Sequence, residues 1–178
     1  QVIRRYGKLL LMEKIRNRIH SFKGSARKGK AGENQFLDAF KDLEPMPQGI
    51  KGPDFKIKDE DILVELKTDY YSMETGNFFM EVYSDMEKKS PGGPKQALKK
   101  GSNVFCYYYI QSGDVFVFTD LKELCKRITK VKKKGRECKI KNKNYTTLGY
   151  AINREEFKDL YKKINIDQLR SKSFKSLL

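Results

Sequence analysis

The chain has 178 residues, enough for one sizeable core and too few for two ordinary domains. Its 38 Lys and Arg against 23 Asp and Glu leave a formal net charge of +15, spread along the chain. That balance directs attention to a polyanionic partner, nucleic acid first, with plain solubility as the competing account. No apolar run is long enough to span a bilayer, so no membrane partner is expected. Three singly spaced cysteines and one histidine, His20, argue against zinc and against a disulfide framework, and for a reducing cytoplasm.

Residues 1–22 read as a basic amphipathic helix, with Leu10, Ile15, Ile19 and Phe22 at helical spacing. "KGSARKGK", Lys23 to Lys30, interrupts that pattern and reads as a mobile basic linker. A helix is expected next over "AGENQFLDAFKDL", where Phe36, Leu37, Phe40 and Leu43 form an apolar stripe. Glu33, three residues before Phe36 and four before Leu37, falls on the same inward stripe. "EPMPQGIKGP" ends the helix.

Short runs rich in aromatic and branched residues then predict strands over 55–58, 62–67, 78–83, 103–110 and 115–118. "SPGGPKQALKKG" predicts a turn leading into a short helix, and "TDLKELCKRIT" a helix capped by Thr119 or Asp120. "KVKKKGRECKIKNKN" reads as a basic hairpin or loop and "YTTLGYAI" as a strand. "NREEFKDLYKKI" reads as a helix capped by Asn153, and "RSKSFKSLL" as a frayed end. The order of elements predicts an α/β (α+β) fold with a mixed central sheet flanked by helices. The expected division is an N-terminal helix over 1–22, a domain over 23–163 that includes the basic loop 130–143, and a tail over 164–178.

Within "GPDFKIKDEDILVELK", strand alternation puts Leu63, Glu65 and Lys67 on one face and Ile62, Val64 and Leu66 on the other. If residues 54–67 pair as two strands around the "DED" turn, Asp54 lies beside Glu65 with Lys67 close by. Two carboxylates forced together repel unless positive charge sits between them. A hard divalent cation such as Mg²⁺ meets that need, and Lys67 can steady the charge on a phosphate under attack. The combination suits metal-assisted phosphodiester hydrolysis.

Pro53-Asp54 followed, ten residues beyond Asp54, by Glu65-Leu66-Lys67 resembles the motif of the PD-(D/E)xK nuclease superfamily. The resemblance covers about residues 25–128 and implies a restriction-endonuclease-like core. It implies Asp54 and Glu65 as metal ligands, the Leu66 carbonyl as a further ligand, and Lys67 as the residue that positions or activates water. Many members also carry a glutamate on the helix before the first strand, which implies Glu33 as a catalytic and metal-site residue. The implied cofactor is Mg²⁺, with Mn²⁺ able to substitute. "RKGKAGENQFLDAF" is similar to the opening of archaeal-type Holliday-junction resolvases, whereas "LKTDYYSMETGNFFMEV" is similar to phage nuclease-like proteins with T-G-N and a glutamate on the third strand. These two likenesses do not select the same substrate.

Glu81 on the third strand, and Gln96 with Lys95 on the short helix, are further active-site candidates, each weighed against an ordinary solvated role. Lys28, Lys30, Lys95, Lys130, Lys132, Lys133, Lys134 and Arg136 are candidate phosphate contacts that carry no base specificity. Tyr107, Tyr108 and Tyr109 read as core strand in preference to a stacking platform. The expectation is a Mg²⁺-dependent DNA endonuclease, structure-selective for branched DNA and homodimeric because two strands need two sites, working in a cytoplasm, the host's if phage-encoded. Its rivals are a non-catalytic DNA-binding protein of the same fold and an RNA nuclease.

Overall fold

The computed structural model describes residues 22–47, 52–70, 74–169 and 172–178. The helix expected over 1–22, with His20, therefore lies outside the described residues except for Phe22. Helix α1 runs over Phe22–Ala39, so the segment read as a linker, Lys23 to Lys30, is helical. Glycine and serine in a helix cost only about 0.5–1 kcal/mol each, less than the docking of Phe36 and Phe40 returns. Both rings are buried, at 0% and 2% exposure.

After α1 the chain forms β1 (Leu43–Pro45), β2 (Phe55–Ile57) and β3 (Leu63–Asp69), a meander in which each strand is antiparallel to the one before. The β2–β3 turn carries Asp59 at φ +60°, a left-handed position that a short polar side chain tolerates. The chain then leaves this sheet to make β4 (Asn77–Asp85), β5 (Ser90–Pro91) and helix α2 (Gly93–Lys99). It returns as β6 (Val104–Tyr109), parallel to β3, and turns back as β7 (Asp114–Phe118).

Helix α3 (Leu121–Val131) follows, capped by Asp120, whose carboxylate accepts the Glu123 N–H at 2.8 Å. The basic stretch continues through a 3-10 turn at Lys132–Lys134 into a hairpin of β8 (Arg136–Lys141) and β9 (Thr146–Asn153). The last strand is β10 (Tyr161–Asn165). The central sheet has the order β1-β2-β3-β6-β7-β10, and a second, antiparallel sheet the order β5-β4-β9-β8.

All six residues of β6 are buried because both faces of its sheet are covered. Phe105, Tyr107 and Tyr109 face the second sheet, α2 and α3; Val104, Cys106 and Tyr108 face α1 and the C-terminal segment. The three tyrosines are thus core residues, and two of them also pin the sheets together. The Tyr107 hydroxyl accepts the Phe79 N–H at 2.9 Å and donates to Asp69, and Tyr109 donates to the Asn77 carbonyl at 2.7 Å.

Two C-terminal expectations are corrected. Asn153 does cap, accepting the Glu155 N–H at 2.9 Å, but what it caps is one 3-10 turn, Arg154–Phe157, and the chain then extends as β10 against β7. Tyr161 and Ile164 have helical spacing, yet in a strand residues three apart point to opposite faces, so they pack against different cores. The segment read as frayed is also docked. Phe174 is fully buried between Phe36 and Phe40, and the Asp42 carboxylate accepts the Ser173 hydroxyl and the backbone N–H groups of Phe174 and Lys175 at 2.7, 2.6 and 3.0 Å. No helix among the described residues is long and apolar enough to cross a membrane.

Candidate active site

The β2–β3 hairpin holds Asp54 by its backbone on both sides. Its N–H donates to the Val64 carbonyl at 3.1 Å and its carbonyl accepts the Met46 N–H at 2.9 Å. Beyond Val64 no β2 residue pairs with β3, and the Asp54 side chain fills the gap, its Oδ2 accepting the Leu66 N–H at 2.8 Å. In a strand the N–H and C=O of one residue point to the same side. The Leu66 carbonyl therefore lies on the open edge beside Asp54, while Leu63 bonds Asn103 on the β6 side.

Glu65 and Lys67 share the other face with Asp69, toward the second sheet. Burial, and then the neighbouring Asp54 charge, push the Glu65 carboxyl from 4.5 up to about 7, against the pull of Lys100 and Lys67. Asp54 is raised for the same first reason, burial, with Glu33 adding to it and the Leu66 hydrogen bond opposing. Lys100, just past α2, places its ammonium 2.9 Å from Glu65 Oε1 and 3.2 Å from Oε2. Lys67 Nζ lies 3.6 Å from Glu81 Oε2 and 5.8 Å from the Phe79 ring centre.

Two glycines make these approaches possible. A Cβ on Gly32 would stand 2.6 Å from Ile110 Cδ1 and 2.7 Å from Thr68 Cγ2, so glycine lets α1 approach β3 without those side chains moving aside. That approach carries the next residue, Glu33, to a cleft of about 570 Å³ that it lines with Asp54, Lys30 and Pro53. A Cβ on Gly92 would stand 2.5 Å from Glu81 Oε1, so the Gly92-Gly93 turn leaves the space that the Glu81 carboxylate fills.

Of the residues singled out from sequence, Asp54 and Lys67 are electrostatic neighbours of Glu65, Lys67 pairs with Glu81, and Glu33 lines one cleft with Asp54 while pairing with Lys30 at 3.2 Å. Gln96 is half-buried on α2, one turn before Lys100. Lys95 and Lys132 line a groove that starts at Glu81, whereas Lys130 and Lys134 line a separate cleft where Lys134 pairs with Glu156 at 2.9 Å. Lys133 and Arg136 are exposed, and the Lys28 side chain lies outside the described ones. Lys100 was missed. Its spacing of four from Gln96, a residue singled out from sequence, is the signal that places it on the same helix face.

Among the described residues no three His, Cys, Asp or Glu side chains converge as a metal cluster. A cation here would draw on Asp54, Glu65 and the Leu66 carbonyl, a set of hard oxygens suited to an ion that keeps several waters. No known family model matches the chain, and no curated protein or solved structure is significantly similar to it.

Proposed function

We propose that the chain is a divalent-metal-dependent endonuclease acting on DNA, built on a restriction-endonuclease-like core. The observation that carries this reading is the juxtaposition of Asp54 and Glu65, both raised by burial, with Lys67 on the Glu65 face. The order of elements supports it: a helix bearing Glu33, a hairpin bearing Asp54 and Glu65-Leu66-Lys67, then α2 and a parallel strand. The net charge of +15 supports a polyanionic substrate.

Asp54, Glu65 and the Leu66 carbonyl would hold Mg²⁺, with Glu33 across the cleft. The bound cation would supply Lewis acidity toward the phosphate and make water easier to deprotonate. Lys67 donates hydrogen bonds to the attacking water and to the phosphate, and Glu81 keeps its ammonium on that side of the strand. Lys100 offsets the Glu65 charge as its ion-pair partner, at 2.9 Å. Cutting both strands takes two such sites, so the working unit proposed is a homodimer.

One observation favours a second reading. Lys100 and Lys67 already supply positive charge to the carboxylates, as a non-catalytic DNA-binding protein of the same fold would need. Incubating supercoiled plasmid with the protein in Mg²⁺, Mn²⁺, Ca²⁺ or EDTA separates the two. Nicking in Mg²⁺ and Mn²⁺ that disappears in Asp54→Asn supports the enzyme. Binding without cutting of plasmid, single-stranded or forked DNA in any metal establishes the alternative.

A further inference from the structure

The groove that begins at Glu81 differs from the other basic surfaces. It encloses about 470 Å³ between β4, α2 and α3, with a floor that includes Tyr83, Leu98 and Ile128 and a rim of Lys95, Lys126 and Lys132. Neither Lys95 nor Lys132 has an acidic partner within ion-pair distance among the described residues, and Lys126 has only Glu123, at 3.6 Å on its own helix. In the neighbouring cleft, by contrast, Lys134 is paired with Glu156 at 2.9 Å and Arg127 with Asp159 at 2.7 Å.

A surface that only follows duplex phosphates needs cations and no apolar floor. An aromatic and aliphatic floor between cationic walls is instead what an unstacked base uses, its ring on the aromatic and its phosphates on the rim. The volume falls in the range of pockets that take small ligands, roughly 300–1,000 Å³. One nucleotide enters such a space whole, while a base pair with both its backbones does not. Glu81 joins the groove to the candidate active site, because its carboxylate lies 3.6 Å from Lys67 Nζ.

We propose that this groove binds an unpaired DNA nucleotide, the base against Tyr83 and the flanking phosphates on Lys95 and Lys132. Its position beside the cleaved bond rests on the nuclease reading above; the binding itself does not. The substrate class is then DNA with an unpaired segment at the cut: a single strand, a flap or an open branch.

The test is binding by fluorescence anisotropy in EDTA, with the full chain and labelled single-stranded, forked and blunt duplex DNA of equal length. Single-stranded and forked DNA should bind roughly tenfold or more tightly than blunt duplex, the size of effect that base stacking supports. Tyr83→Leu should weaken single-stranded binding by roughly tenfold, with blunt duplex affinity moving less than about twofold and Tyr83→Phe behaving as the wild type. A second readout needs no substitution: single-stranded DNA, and not duplex, should slow alkylation of Cys125, which lines the groove. Equal affinity for blunt duplex and single strand, equal losses for both in Tyr83→Leu, or unchanged Cys125 alkylation overturns the proposal. Tighter binding of single-stranded RNA than of the same DNA overturns its assignment to DNA. Cleavage in Mg²⁺ is scored separately, so a groove that binds single strands in a protein that cuts nothing would sink the nuclease reading and leave this one standing.

Discussion

Lys100 covers both carboxylate oxygens of Glu65, at 2.9 and 3.2 Å, from a position 35 residues further along the chain. The pair is mostly buried, with 20% and 14% of the two side chains exposed. Even so, Glu65 is held near 7, because burial and Asp54 outweigh the ammonium.

That balance sets a pH dependence for the metal-free protein. An acid raised from 4.5 to about 7 gives the folded state extra stability that is complete below 4.5 and lost as pH rises through 7. In EDTA the unfolding free energy should therefore fall between pH 5 and 8, with a Glu65 share of roughly 3 kcal/mol at most. Urea denaturation across that range should show the fall in the wild type and a flatter profile in Glu65→Gln. Lys100→Met should push the loss to higher pH. An identical profile in Glu65→Gln would mean that Glu65 is not raised.

Lys67→Met should lower single-turnover DNA cleavage in Mg²⁺ by roughly 100-fold or more, as expected for a residue handling water and phosphate. Its melting temperature should stay close to that of the wild type, because the Lys67 side chain is 36% exposed and its pair with Glu81 spans 3.6 Å. Unchanged cleavage would remove Lys67 from the site.

Binding to duplex DNA should weaken as salt rises, with log affinity falling by roughly 0.9 per phosphate neutralised for each log unit of salt. Replacing Lys132, Lys133 and Lys134 together with alanine should flatten that slope by about two such contacts instead of three, because Lys134 already holds Glu156 at 2.9 Å. Titrations in Ca²⁺ at several salt concentrations measure it. A slope equal to the wild type's would move the phosphate path off this stretch.

Phe174→Ala should destabilise the fold by roughly 3–5 kcal/mol, as for other large buried aromatics. The ring is fully buried and packs edge-on against Phe40 and Phe36, with centroids 5.1 and 5.8 Å away. Chemical denaturation reads the loss directly, and a variant as stable as the wild type would mean that the C-terminal segment is not part of the core.

The sequence by itself determined what depends on near neighbours. Asp54 meets Glu65 through a tight hairpin, and a period of two puts Glu65 and Lys67 on one face. The cap and inward stripe of α3 follow likewise from Asp120, Leu121, Leu124 and Ile128 within a few turns. Tertiary structure alone decided the rest, because the partner in each case is far along the chain. The parallel pairing of β3 with β6 brings Lys100 to Glu65, and the second sheet, fastened by Tyr107 and Tyr109, sets Glu81 beside Lys67. Residues 161–165 are strand because β7 offered an unpaired edge, and that edge outweighs a helical spacing of Tyr161 and Ile164. Phe174 is buried because α1 and the central sheet leave a gap of its shape, closed by Asp42 from 132 residues away. Local periodicity records which face of an element is apolar; it does not record which distant surface will cover that face.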